Sequence, residues 1–118
     1  MYRILLAEDD ESLRGFLSRS LQRAGYEVAA CADGESAMLQ LDQAWDLLLT
    51  DIVMPGMDGI ELARAASLRH PQLRIMFITG FAAVALAAKD ADLPDAKVLA
   101  KPIHLRDLVA EIERLLTP

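Results

Sequence analysis

Residues 45–59 decide the fold of this 118-residue chain, and they read WDLLLTDIVMPGMDG. The apolar residues 45–50 predict a central strand that is covered on both faces. This strand delivers the carboxylate of Asp51, and residues 54–59 have the Pro, Gly and Asp composition of a turn. A carboxylate in such an apolar setting is costly unless ionic partners compensate it. We therefore expect other charged groups to meet Asp51 at this end of the strand.

The rest of the chain alternates short apolar runs with stretches of helical periodicity. Strands are predicted over residues 2–7, 26–31, 45–50, 74–78 and 96–100. Helices are predicted from residue 12 to a stop at Gly25, from Gly34 through Leu41, and over residues 60–68, 81–89 and 104–116. Parallel strands require helical crossovers, so the pattern predicts a doubly wound α/β fold with a five-stranded parallel sheet and five helices. The length predicts one domain, residues 1–118, with no output domain.

Polar side chains stand at the ends of four predicted strands. Glu8 and Asp9 follow the first strand, Asp51 the third, Thr79 the fourth and Lys101 the fifth. The carboxyl ends of parallel strands share one crevice, so these groups are expected to meet. Carboxylates suit Mg²⁺, while a lysine and a hydroxyl suit a phosphoryl group. The pattern predicts that Asp51 is a nucleophile that attacks phosphorus and forms an aspartyl phosphate.

The acids after the first strand allow a second interpretation. Negative charge is favourable at a helix N-terminus, so Glu8, Asp9 and Asp10 could simply cap the first helix. We favour the cap for Asp10. For Asp9 we favour metal binding, because Asp51 and Lys101 are predicted to lie in the same crevice.

Four segments resemble the signature blocks of response-regulator receiver domains, whose fold is CheY-like and flavodoxin-like. They are LLAEDD at 5–10, TDIVMPGMDG at 50–59, FITG at 77–80 and KP at 101–102. The spacings are 42 residues from Asp9 to Asp51, 28 more to Thr79 and 22 more to Lys101. The resemblance covers the whole chain, and it implies a two-component phosphorelay protein that is phosphorylated by a histidine kinase or a histidine phosphotransferase.

The resemblance also implies a role for each site residue. Asp51 would be the phosphorylation site. Asp9, Asp51 and the backbone carbonyl of Val53 would bind Mg²⁺, and Glu8 would reach the ion through water. Thr79 and Lys101 would be the switch residues. In many relatives the peptide bond that corresponds to 101–102 is cis.

Residues 50–65 and 77–86 are similar to single-domain receivers of the CpdR type. In alphaproteobacteria that group primes the ClpXP protease for cell-cycle-regulated substrates, so the resemblance implies an adaptor that binds the ClpX unfoldase in its unphosphorylated form. Residues 81–88 carry no charge, and a helix that is apolar all round should be buried or face a partner. The predicted partner surface comprises Phe81, Val84, Leu86 and Val98.

The chain departs from the receiver pattern near its lysine. Receivers often carry an aromatic residue three positions before the lysine, and here that position is Val98. Phe81 could take over the role of that aromatic residue, or it could simply pack at the start of a helix. Both interpretations remain open at this point.

Composition and charge exclude several other classes. The net charge of −6 argues against nucleic acid and an acidic membrane surface, and no apolar run approaches the length of a membrane span. A single cysteine fits a cytoplasmic location. The alternatives are a generic phosphorelay or chemotaxis-type receiver and an Mg²⁺-dependent phosphatase with an aspartyl nucleophile. Such phosphatases carry a general acid two residues after the nucleophile, where this chain has Val53, so we expect a switch rather than an enzyme.

Overall fold

The computed structural model describes residues 1–80, 93 and 95–117, in which strands and helices alternate. The strands are β1 (Arg3–Ala7), β2 (Glu27–Cys31), β3 (Leu47–Asp51), β4 (Arg74–Thr79) and β5 (Lys97–Ala100). The helices are α1 (Glu11–Arg23), α2 (Gly34–Leu39), α3 (Gly59–Arg69) and α4 (Leu105–Leu116). The helix predicted over residues 81–89 lies outside the described residues.

The five strands form one parallel sheet in the order β2-β1-β3-β4-β5. The predicted α/β class and parallel sheet are confirmed, with β3 at the centre and the more polar β2 at an edge. Trp45 does not belong to the central strand as predicted, because β3 begins at Leu47. Its indole N–H donates to the carbonyl of Gln40 (2.8 Å), and the guanidinium of Arg3 lies 4.3 Å from the ring centroid.

Alternating residues of the strands build two hydrophobic cores, one on each face of the sheet. On β1, Ile4 and Leu6 join the core that α1 and α4 cover, whereas Leu5 and Ala7 join the core that α2 and α3 cover. All four side chains are fully buried. Burial of each leucine or isoleucine contributes about 1.5–3 kcal/mol, which makes the sheet a rigid base for the groups at its strand ends.

Aspartates begin three of the helices. The side chains of Asp10, Asp33 and Asp58 accept hydrogen bonds from backbone amides of α1, α2 and α3 at 3.0, 2.7 and 2.9 Å. The predicted cap at Asp10 is therefore confirmed. Each such cap stabilises its helix by about 1 kcal/mol.

Glycine at the first position of α3 lets this helix approach the end of β3 closely. The amide of Gly59 donates to the carbonyl of Ile52 (2.9 Å), and a Cβ at Gly59 would lie 2.0 Å from the carbonyl oxygen of Asp51. No larger residue fits without displacing the strand end or the helix. The main chain at Asp51 is thus held between the sheet and α3.

None of the helices within the described ranges has the length and apolarity needed to cross a bilayer.

Candidate metal centre

Three carboxylates meet where β1 and β3 end. One oxygen from each of Glu8, Asp9 and Asp51 can be chosen so that all three lie within 4.8 Å of one another. The sheet produces this arrangement, because β1 and β3 pair in parallel up to Ala7 and Thr50, and the acids come next along each chain segment. The side chains of Glu8 and Asp51 are buried, whereas Asp9 is exposed.

Both carboxylate oxygens of Asp51 have partners. Oδ2 accepts a hydrogen bond from Nζ of Lys101 at 2.7 Å, and Oδ1 accepts one from the amide of Val53 at 3.2 Å. The ammonium of Lys101 also lies 3.4 Å from Oε1 of Glu8. One lysine thus faces two buried carboxylates, and it compensates only part of their charge.

Glu8 is fixed by its main chain and by one of its two carboxylate oxygens. Its amide donates to the carbonyl of Cys31 (3.0 Å), and its carbonyl accepts from Nη1 of Arg14 (3.0 Å). Oε2 accepts from the amide of Asp10 (3.1 Å), but the buried Oε1 accepts no hydrogen bond from the described residues. Leaving a buried carboxylate oxygen without a donor is costly.

The protonation of the centre reflects this crowding. Burial raises the pKa of Glu8 to about 7; the nearby carboxylates of Asp51 and Asp9 act in the same direction, and the Asp10 amide and Lys101 oppose them. Partial burial alone would lower the pKa of Lys101, but its hydrogen bond to Asp51 and the charge of Glu8 outweigh that effect and raise it. Without a cation, Glu8 therefore keeps its proton up to near neutral pH.

The donor set fits a hard divalent cation. Hard cations prefer carboxylate and carbonyl oxygens, and such a cation would give Oε1 of Glu8 the positive partner that the described residues supply only in part. Glu8, Asp9 and Asp51 are the side chains that could hold it.

Thr79 and Lys101 lie on neighbouring strand ends beside the acids. Thr79 is the buried last residue of β4, and Lys101 directly follows β5. The amide of Lys101 donates to the carbonyl of Thr79 (2.9 Å), and the peptide bond between Lys101 and Pro102 is cis. The structure thus gathers Glu8, Asp9, Asp51, Thr79 and Lys101 at the carboxyl end of the sheet.

Other residues singled out in the sequence lie around this centre. The side chain of Val53 is 54% exposed. Val98 is half-buried and packs against the core that includes Phe77, so part of this side chain faces inward rather than toward a partner. The other three residues of the predicted partner surface, Phe81, Val84 and Leu86, lie outside the described residues.

Two contacts of the site have no signal in the sequence. Arg14 donates to the main chain of Glu8 from the second turn of α1, and Glu35 of α2 accepts a hydrogen bond from the amide of Met57 (3.1 Å). Neither residue belongs to the strand-end pattern. An Arg on an amphipathic helix and a Glu in a first helical turn are typical of ordinary exposed faces, so only the tertiary structure separates them from their neighbours.

Similarity to known proteins agrees with this geometry. The family model of the response regulator receiver domain matches residues 4–113. The chain is 62% identical over 118 residues to the response regulator receiver protein CpdR of Brucella abortus, and the match covers 98% of each. CheY4 of Vibrio cholerae has a TM-score of 0.90 at 29% identity, with 98% of this chain and 99% of that one covered. TrrA of Thermotoga maritima, solved in complex with Mg(2+)-BeF, has a TM-score of 0.86 at 28% identity, with 98% and 100% covered. The chain belongs to the family of response regulator receiver domains.

Proposed function

We propose that this protein is a phospho-accepting switch of a two-component phosphorelay and that Asp51 is its phosphorylation site. The observation that carries the proposal is the meeting of three carboxylates within 4.8 Å at a strand end where a lysine ammonium lies 2.7 Å from Asp51. Membership of the receiver family supports a histidine kinase or a histidine phosphotransferase as the donor.

The reaction is a displacement at phosphorus. An oxygen of Asp51 attacks the phosphorus of the donor, and the new O–P bond forms as the bond between phosphorus and the donor atom breaks, with the donor keeping that electron pair. Asp51 starts as a carboxylate held on both sides by Lys101 and the amide of Val53. Because these contacts fix its position before the donor arrives, little reorganisation is needed.

Lys101 and Thr79 would bind the transferred group. The ammonium of Lys101 already contacts Asp51, so a small shift suffices to place it on a phosphoryl oxygen, where a charge-assisted hydrogen bond is strong. The hydroxyl of Thr79, on the adjacent strand end, would donate to another oxygen. Both groups would act on the negative charge that is spread over the phosphoryl oxygens during transfer.

Mg²⁺ is the cation we propose for the centre. Glu8, Asp9 and Asp51 supply the oxygen ligands, with the carbonyl of Val53 as the main-chain ligand and Glu8 acting through water. When bound, the ion neutralises phosphoryl oxygens during the transfer. The Mg(2+)-BeF complex of the related TrrA supports this choice.

Phosphorylation of an aspartate mutant tests the assignment. Wild-type protein incubated with acetyl phosphate and Mg²⁺ should gain one phosphoryl group in intact mass spectra, and Asp51→Asn should gain none. Asp42→Asn is the matched control, because the carboxylate of Asp42 is 90% exposed and pairs with Arg69 away from the centre. Equal labelling of Asp51→Asn and wild type would contradict the assignment.

For the output we propose a protease adaptor that acts as a single receiver domain in the cytoplasm and binds the ClpX unfoldase. The 62% identity to CpdR over nearly the whole length of both chains supports this proposal. The partner surface would comprise Phe81, Val84, Leu86 and the outer part of Val98. The unphosphorylated form would be the binding form, as the resemblance to the CpdR type implies.

Binding to the purified unfoldase tests the adaptor. Wild type and Asp51→Ala should bind, and wild type loaded with beryllofluoride and Mg²⁺ should bind more weakly; a coupling of 1–3 kcal/mol corresponds to about 5–150-fold in affinity. If all three forms bind equally, or if none binds, the adaptor proposal is wrong and a generic phosphorelay receiver is the better interpretation.

The competing phosphatase function has one observation against it. Val53 stands two residues after Asp51, where aspartyl-nucleophile phosphatases have a general acid, and a valine cannot protonate a leaving group. We therefore propose that the protein catalyses only its own phosphorylation and dephosphorylation. Mg²⁺-dependent turnover of p-nitrophenyl phosphate that Asp51→Asn abolishes would contradict this.

A further inference from the structure

The loop between β3 and α3, residues 52–58, is tied to the start of α2 by one side chain. Oε2 of Glu35 accepts a hydrogen bond from the amide of Met57 at 3.1 Å, across a separation of 22 residues. This bond connects the loop to α2, whereas the hydrogen bonds between Asp58 and Glu61 connect it to α3, the helix that follows it. The loop also carries Val53, whose amide bonds Asp51.

Two glycines make room for this contact. Gly56 has a φ of +75°, a conformation that residues with a side chain rarely adopt, and a Cβ on it would lie 2.6 Å from Oε2 of Glu35. A Cβ on the buried Gly34 would lie 2.7 Å from the carbonyl oxygen of Met57. The carboxylate of Glu35 is thus seated directly against the backbone of the loop.

The same chain segment reaches the other side of the metal centre. Cys31, at the end of β2, accepts a hydrogen bond from the amide of Glu8 at 3.0 Å. Residues 31–35 therefore contact both the residue that follows β1 and the loop that follows β3. Glu8 supplies one carboxylate of the proposed Mg²⁺ site, and the loop supplies its backbone carbonyl.

We propose that Glu35 is a positioning residue for metal binding, and this inference rests on the proposed function. It acts through the Met57 amide: the hydrogen bond holds the loop in the conformation that aims the Val53 main chain at the centre. Glu35 itself does not touch the ion. Without the bond, the loop samples conformations that cannot bind metal, and the apparent affinity falls with the population of the competent one.

Two substitutions separate the hydrogen bond from the charge of Glu35. Glu35→Ala removes the acceptor and should weaken Mg²⁺ binding by up to about five-fold, the limit set by losing one modest hydrogen bond. Glu35→Gln keeps an acceptor oxygen at the same place and should bind Mg²⁺ within about two-fold of wild type. Glu113→Ala, an exposed position on α4, is the control and should bind like wild type.

The experiment combines calorimetric Mg²⁺ titration with NMR hydrogen exchange of the metal-free protein. Exchange of the Met57 amide should accelerate in Glu35→Ala and stay near the wild-type rate in Glu35→Gln. Urea unfolding should show that the folding equilibrium constant of each variant stays within about five-fold of the wild-type value, the limit set by one modest hydrogen bond. A local change in exchange therefore reports the loop itself.

The failures of the two proposals look different. If wild type binds Mg²⁺ and Glu35→Ala binds it equally well, the positioning role is wrong and the metal centre stands. If Glu35→Gln is as impaired as Glu35→Ala, the charge rather than the hydrogen bond acts and the inference is again wrong. If wild type fails to bind Mg²⁺, the proposed function is wrong, and so is the proposed role of Glu35.

Discussion

Replacing Glu8 by glutamine should stabilise the metal-free protein, and the gain should increase with pH. The side chain of Glu8 is buried, its Oε1 accepts no hydrogen bond from the described residues, and burial raises its pKa to about 7. Glutamine has nearly the same volume and retains an oxygen that can accept from the Asp10 amide. It cannot ionise, so the variant removes the cost of burying a charge.

The sign and size follow from the two pKa values of Glu8. Below the ordinary pKa of 4.5, the carboxyl is protonated in the folded and unfolded states and its ionisation costs nothing. Between 4.5 and about 7 the unfolded chain loses this proton first, so the free energy of unfolding falls as pH rises. Above pH 7 the free energy of unfolding falls no further on account of Glu8. At about 1.4 kcal/mol per pKa unit, the full loss is about 3 kcal/mol.

Urea unfolding in EDTA measures this effect, with the fluorescence of the single, buried tryptophan Trp45 as the probe. Between pH 5 and pH 8, the stability of Glu8→Gln relative to wild type should rise by about 2–3 kcal/mol. Glu113→Gln is the matched control and should show no such rise. Saturating Mg²⁺ should reverse the order, because the ion stabilises the folded wild type, which has the ionised ligand.

Two results would refute the reasoning. A constant stability difference between Glu8→Gln and wild type from pH 5 to pH 8 would mean that Lys101 fully compensates the charge of Glu8. A variant that is less stable than wild type at pH 8 in EDTA would mean that the carboxylate stabilises the metal-free fold.

Three further predictions concern the end of β3 and the loop that follows it. Gly59→Ala should lower the free energy of unfolding by about 1–3 kcal/mol and impair phosphorylation, because its Cβ would lie 2.0 Å from the carbonyl of Asp51; urea unfolding and acetyl phosphate labelling measure both effects. Asp58→Ala should cost about 1 kcal/mol, because α3 loses its capping box, and unchanged unfolding would contradict the role of the cap. Val53→Asn should speed decay of the phosphorylated form several-fold, since the exposed valine cannot orient an attacking water and each ~1.4 kcal/mol of barrier is tenfold in rate. A lifetime equal to that of wild type would exclude this effect.

The sequence predicts the three inner strands well because they are buried on both faces of the sheet. Near-continuous apolar runs such as residues 47–49 have few alternatives to a covered parallel strand, and each run ends at a polar residue that fixes its boundary. The same logic predicts Asp51 and Thr79 directly after the third and fourth strands, and the structure extends β3 and β4 by one residue to include them. The boundary at Trp45 was wrong, because an apolar side chain packs equally well just outside a strand.

The contacts that hold the site in place could not be predicted. The bond from Arg14 to the main chain of Glu8 and the bond from Met57 to Glu35 depend on how helices and loops are placed on the sheet. Residue type does not encode such pairings. The protonation of Glu8 is a similar case, because its raised pKa comes from burial and from charges on other strands.

The hydrogen bond from the Lys101 amide to the Thr79 carbonyl extends the ladder between β4 and β5 by one rung beyond the pair Thr79 and Ala100. The two residues expected to contact a phosphoryl group are therefore joined through their main chains. A rotation of the Thr79 side chain leaves this rung intact, whereas a displacement of its backbone carries Lys101 with it. Backbone rearrangement at the two strand ends is consequently one correlated equilibrium, and spectroscopic probes at either residue would share a single midpoint.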